Sequence, residues 1–227
     1  MNTQTSSVPA MSTHEVDQLT HRLLEVFPSL EPDARRVAVQ LYRLLEKGEP
    51  VARRTLAAAA GVSLERVNGL LENWSGVFYD GDKIQGFWGI TPKEFSKHLY
   101  TSNGRTNYAW CAWDTLFLPE ILGGQAEVRS TCPESGEIIR LQVSPGGVSQ
   151  VEPDGAVMSM LEPADDVTED VVGKFCHFVH FFPSMEIGSR WTAKHPGTRL
   201  ISIGDAFELG KRRNQGQFGE ALRIPAP

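Results

Sequence analysis

Two cysteines and one aspartate are the side chains of this sequence best suited to chemistry. Cys111 and Asp114 stand three residues apart in the run Asn107-Tyr-Ala-Trp-Cys-Ala-Trp-Asp-Thr-Leu-Phe-Leu-Pro119, which is otherwise apolar and aromatic. If the run is helical, positions i and i+3 share a face and the two side chains meet. A carboxylate so placed can take a proton from the thiol and deliver it elsewhere, which is general acid–base work attached to a nucleophile. A buried core helix would account for the cysteine alone, since free Cys is among the most buried residue types. The aspartate strains that account, because an ionised carboxylate in apolar surroundings is costly without a partner.

The third side chain, Cys176, lies in Gly173-Lys-Phe-Cys-His-Phe-Val-His-Phe-Phe-Pro183. Its aromatic and β-branched content predicts a buried strand between Gly and Pro, with Cys176, Phe178 and His180 on one face. Three chemistries are open to these residues. A zinc site could use Cys176 and His180, but no paired Cys-x-x-Cys spacing accompanies them. A thiol protease or transferase could pair Cys111 with His177 or His180 as base, although no local signature marks it. Two separated thiolates could also clamp a soft metal, a donor set that suits a linear soft ion better than zinc. Cys132, on the shoulder of a turn and without His or Cys at ligand spacing, is expected to be structural.

The pieces Tyr108-Ala-Trp-Cys-Ala-Trp-Asp-Thr-Leu, Ser144-Pro, Val151-Glu-Pro, Phe175-Cys-His-Phe-Val-His-Phe-Phe and Lys194-His-Pro-Gly resemble the bacterial alkylmercury lyase (organomercurial lyase, MerB) family, with similarity from about Leu41 to Leu209. The resemblance implies protonolysis of a carbon–mercury bond, releasing a hydrocarbon and Hg(II). It matches Cys111 and Cys176 to the family's two catalytic cysteines, Asp114 to its catalytic aspartate and Cys132 to its structural cysteine. All three catalytic residues would touch the Hg(II) product. His177 stands where some members carry a second, adjacent cysteine. Organomercury compounds are the implied substrates, small thiols would carry product away, and a mercuric reductase would accept it. Tyr108, Trp110, Trp113 and Phe178 are expected to form an apolar pocket for the organic group, with ordinary core packing as the competing role. The rival from another class is a mercury or copper sensor or chaperone with a DNA-binding module.

The elements that must position these residues read as an α+β chain. Residues 1–14 look like a flexible tail, 15–98 a helical, winged-helix-like module, and 99–227 a thiol-bearing catalytic domain with a mixed sheet and flanking helices. Apolar spacing predicts helices from Val16 and from Pro32 to Gly48; Arg53 to Ala60 and the segment capped by Ser63 outline a helix-turn-helix. Asp80-Gly81 turns a hairpin after them, Gln125 to Val143 forms a second, and Ala156 to Leu161 is a strand. Ser184 to His195 and Asp205 to about Arg213 read as helices flanking a strand over Leu200 to Ile203, and Ile224 to Pro227 as a loose end.

The 227 residues are 41% hydrophobic and 22% charged, ordinary for a globular protein, and the net charge of -6 gives no basic footprint for nucleic acid or an anionic membrane. The candidate recognition helix offers only Arg66 as a base beside Glu65 and Glu72, which speaks against groove reading. Three distant cysteines, no visible signal peptide and no apolar run of about 18 residues point to a cytoplasmic, reducing setting. Neither a G-x-G-x-x-G after a strand nor a P-loop is present, so no organic cofactor is expected.

Overall fold

The computed structural model describes residues 8–27, 29–163 and 169–224. Helices α1 (Thr13–Val26) and α2 (Pro32–Glu46) form where apolar side chains recur every three to four positions. Ser12 and Glu15 cap the start of α1 reciprocally, so Thr13 and His14 are helical rather than part of the expected tail. Residues 1–7 of that tail, and 225–227 at the other end, lie outside the described residues. α3 (Arg53–Ala60) and α4 (Leu64–Asn73) fall where their stop and start signals placed them: Gly61 ends α3, and the Ser63 hydroxyl accepts the Arg66 N–H.

Among the described residues eight strands make the main sheet, and every pairing is antiparallel rather than mixed as expected, because hairpins and short connections join the neighbours. They are β1 (Val77–Asp80), β2 (Lys83–Phe87), β3 (Ile90–Thr91), β4 (His98–Ser102), β5 (Arg105–Ala109), β6 (Ala126–Thr131), β7 (Ile138–Ser144) and β8 (Gly147–Glu152), in the order β1-β2-β3-β5-β4-β6-β7-β8. β4 straddles residues 98 and 99, and β3 pairs with β5, so one sheet joins the N-terminal hairpin to the later strands. Alternating burial along β6 and β7 turns Ala126, Val128, Ile139, Leu141 and Val143 into the core. A second sheet of β9 (Val157–Leu161), β10 (Phe181–Phe182) and β11 (Thr198–Ser202) has the order β10-β9-β11.

Helix α5 (Ala112–Leu122) runs through the centre, against α2, α8 (Ile203–Phe218) and strands β4 to β7. Nearly every residue of α5 is buried, which explains why its sequence is apolar all round instead of carrying a polar stripe. The expected strand over 173–183 does not form. The chain instead makes a short α6 (Val171–Lys174), a 3₁₀ turn (Cys176–Phe178) and only then the two-residue β10, before α7 (Met185–Thr192). Ahead of β10, Phe175, Cys176 and Val179 are the buried positions, a helical rather than alternating spacing. The aromatic content reflected burial, not extension. Among the described residues no helix is long and apolar enough to cross a membrane.

Candidate active site

Cys111 is the N-cap of α5, and Asp114 is its third helical residue. The backbone switches there from the extended conformation of β5 to helix. That switch lets the Asp114 carboxylate reach back and accept the Cys111 N–H at 2.7 Å, while the Cys111 sulfur faces the Asp114 N–H in return. The two groups therefore meet through a cap rather than along a helix face. The positive end of α5 favours negative charge on both side chains. The far side of the helix is fixed by α8: the Trp113 indole donates to Ala206 O at 2.9 Å, and Asn214 Nδ2 to Phe117 O at 2.9 Å.

Cys176 arrives on the 3₁₀ turn, which is riveted at its exit. Ser159 on β9 donates its hydroxyl to Phe178 O at 2.8 Å and accepts the His180 N–H at 3.0 Å. The Ala112 N–H, in the first turn of α5, donates to Val179 O at 3.1 Å. That bond ties the second cysteine's segment directly to the first cysteine's helix. As a result the Cys111 and Cys176 sulfurs and an Asp114 oxygen all lie within 4.8 Å of one another, each buried. Two thiolate–metal bonds of about 2.3 Å span such a gap with one ion between them.

A small cavity opens beside this trio, with about 20 Å³ of free space. Trp88, Trp110, Trp113, Phe117 and Phe175 supply its apolar wall, and Arg213 is a basic residue in its lining. The Arg213 guanidinium, 2% exposed, lies 5.0 to 5.2 Å over the rings of Phe27, Phe117 and Phe218. Burial pushes the Asp114 carboxyl up to about 7, against the pull of the Cys111 N–H, the Cys111 thiol and the Arg213 charge. Burial also drives the Cys111 thiol well above its usual range, helped by the neighbouring Cys176 sulfur and Asp114. For Cys176 the contact with the Cys111 thiol favours the thiolate, but burial and the nearby carboxylates outweigh it and the thiol is raised. Both sulfurs therefore rest as thiols, with a carboxylate poised to change protonation near neutral pH beside them.

Of the four aromatic residues expected around a substrate, Trp110 and Trp113 line the cavity. Tyr108 sits on β5, paired with Thr91 and Leu99, and Phe178 packs against His177 and His195; neither is among the lining residues. Cys132 is buried away from the trio, its sulfur accepting the Ser135 N–H at 3.4 Å in the β6–β7 turn. Sequence reasoning did not find Trp88, Gly89, Phe175 or Arg213. Arg213 had a usable signal: with Asn214 and Gln217 it falls on the same stripe of α8 as Ile203, Ala206 and Leu209, and polar groups on an apolar stripe mark a buried site.

A profile of the family described as alkylmercury lyase matches residues 93–215. The chain is 41% identical to the alkylmercury lyase of Pseudomonas putida over 173 residues, covering 76% of this chain and 80% of that one. It is 37% identical to the alkylmercury lyase of Bacillus cereus over 172 residues, covering 75% and 77%. A crystal structure of the mercury-bound form of MerB2 superposes with a TM-score of 0.70 at 22% identity, over 92% of this chain and all of that one, which shows a shared fold. On the strength of these matches the chain belongs to the alkylmercury lyase family.

Proposed function

We propose that this lyase cleaves the carbon–mercury bond by protonolysis, with Cys111 and Cys176 as mercury ligands and Asp114 as the proton carrier. The observation that supports it is the buried convergence of two sulfurs and one carboxylate within 4.8 Å. A carbanion is too basic to leave unaided, so mercury must receive electrons while carbon receives a proton. Asp114 as carboxylate takes a thiol proton, and the freed thiolate forms a sulfur–mercury bond. The second thiol then gives its proton to water as its sulfur adds to mercury, weakening the bond to carbon. Protonated Asp114 gives its proton to carbon, whose bonding pair to mercury becomes the new carbon–hydrogen bond. Two thiols and R–Hg⁺ thus become R–H, Hg(II) held by two thiolates, and one proton released.

The setting of Asp114 suits both halves of this cycle. A carboxyl that titrates near 7 is a stronger base than an exposed one and still a competent acid at neutral pH. Trp110 and Trp113 would contact the organic group. Small thiols would exchange onto mercury and lift it from the buried pair, and a mercuric reductase would receive it. The helices and hairpin of residues 15–98 serve as a winged-helix-like cover for the catalytic part, residues 99–227.

Purified protein given phenylmercury and excess small thiol should release benzene, and Cys111→Ala, Cys176→Ala and Asp114→Ala should each abolish it. Retained turnover in Cys176→Ala would remove the two-sulfur mechanism.

A further inference from the structure

One wall beside the Asp114 carboxylate is a backbone turn rather than a side chain. Trp88 and Gly89 connect β2 to β3 as a two-residue hairpin turn, and both have positive φ, 37° and 109°. A Cβ built on Gly89 would stand 2.6 Å from both Cγ and Oδ1 of Asp114. Any side chain there would displace the carboxylate. Gly89 also accepts the Trp110 N–H through its carbonyl at 3.1 Å, which links the turn to the residue preceding Cys111.

Trp88 pays for this approach. A bulky residue with positive φ is an outlier that persists only where its surroundings over-determine it. Here they do. The Tyr42 hydroxyl on α2 donates to Trp88 O at 2.7 Å, the Trp88 N–H to Gly76 O at 3.2 Å, and its indole N–H to Ser75 O at 2.8 Å. Its ring stacks on Phe87 at 4.3 Å and leans on Trp74 at 5.1 Å. Contacts from α2, from the end of α4 and from the hairpin itself therefore clamp one strained residue, whose neighbour touches Asp114.

We propose that the Trp88–Gly89 turn is a positioning device for Asp114: a clamped patch of backbone, bare of side chain at Gly89, that fixes where the carboxylate oxygens stand beside the two sulfurs. The assignment rests on the protonolysis reading above. It gives the N-terminal elements a part in the reaction, because Tyr42 and Trp74 hold the turn while contributing no atom to mercury. Gly89 and Trp88 are positioning residues, and the side chain that the turn meets is Asp114 rather than either cysteine.

The test compares two alanines in the full-length chain. Gly89→Ala and Gly104→Ala each put a methyl on a positive-φ hairpin residue, but nothing lies within 4 Å of the added carbon at Gly104. Benzene release from phenylmercury gives kcat and KM, and near-ultraviolet absorbance on titration with mercuric chloride reports Hg(II) bound to the thiolates. Gly89→Ala should lose about 100-fold in kcat, the scale of a misplaced catalytic group, while binding one Hg(II) with the wild-type absorbance. Gly104→Ala should stay within about twofold of wild type, since its methyl meets nothing. Wild-type kcat in Gly89→Ala, equal losses in both alanines, or loss of the Hg(II)–thiolate absorbance in Gly89→Ala alone would overturn the proposal. If Gly89→Ala does not fold, Tyr42→Phe decides: a fall in kcat at unchanged KM supports the clamp, and unchanged kcat overturns it. A wild-type protein that releases no benzene would instead overturn the reaction reading, so the two failures are distinguishable.

Discussion

The two halves of the site are built in opposite ways. Cys111 and Asp114 come from the first turn of a regular helix, three residues apart and joined by their own cap. Cys176 comes from a single 3₁₀ turn held by Ser159 of β9 and by the α5 backbone. One half is encoded locally, the other by tertiary contacts, and the chemistry needs both at one point. The difference teaches that reactivity can be read from spacing on the first half alone; on the second, only the fold gives the cysteine a partner.

The chemistry should ignore that difference in construction. Cys111→Ser and Cys176→Ser should each cut hydrocarbon release by at least ~10³-fold, and the double variant should be scarcely worse, as for groups acting as one unit. Steady-state rates with phenylmercury check this, and additive losses would mean that the two sulfurs act separately.

Stability should divide the halves by pH. Asp114 is raised from 3.8 to about 7 in the folded chain, so its contribution is fully present only below 3.8 and is lost progressively as pH rises to about 7. Asp114→Asn keeps an acceptor for the Cys111 N–H and should stabilise the chain by ~2–4 kcal/mol at pH 8, and by less than half as much at pH 5. Denaturant unfolding at the two pH values measures it.

Behind the Cys176 half the sign reverses. His98 is buried, stacked on His180 at 5.6 Å, and burial lowers it to about 3. Its contribution is present above about 6.5 and is lost as pH falls. Before that, the rivet itself can be cut: Ser159→Ala leaves Phe178 O and the His180 N–H without their hydroxyl partner. It should cost ~1–3 kcal/mol and lower turnover. Thr115→Val on α5 should cost less, because that hydroxyl bonds only Ala112 O within its own helix. The smallest effect belongs to His98→Gln, which should remove about 1 kcal/mol of acid sensitivity at pH 5.5, read from the melting temperature against pH.

Legibility followed the same division. Helices α1 to α4 were plain because periodicity, Pro32 and the Ser63 cap agree, and the β6–β7 hairpin because its alternation faces one core. The Cys111–Asp114 relation was visible as a three-residue spacing, although the cap that realises it was not. The 173–183 segment misled because Phe and Val are enriched wherever chain is buried, strand or not. Strands β4, β5 and β8 escaped notice because mixed polar and apolar stretches such as Arg105 to Ala109 take their partners from elsewhere in the sheet. Gly89 was unreadable for a similar reason: its importance is a contact with residue 114, which no local pattern carries.

The central claim is that two remote sulfurs close on one mercury beside a proton-carrying acid. X-ray absorption at the mercury edge, on protein that has just turned over phenylmercury without added thiol, tests it most directly. The account predicts two sulfur neighbours at about 2.3 Å, falling to one in Cys176→Ser. A single protein sulfur in the wild-type chain, or two that persist in Cys176→Ser, would contradict it.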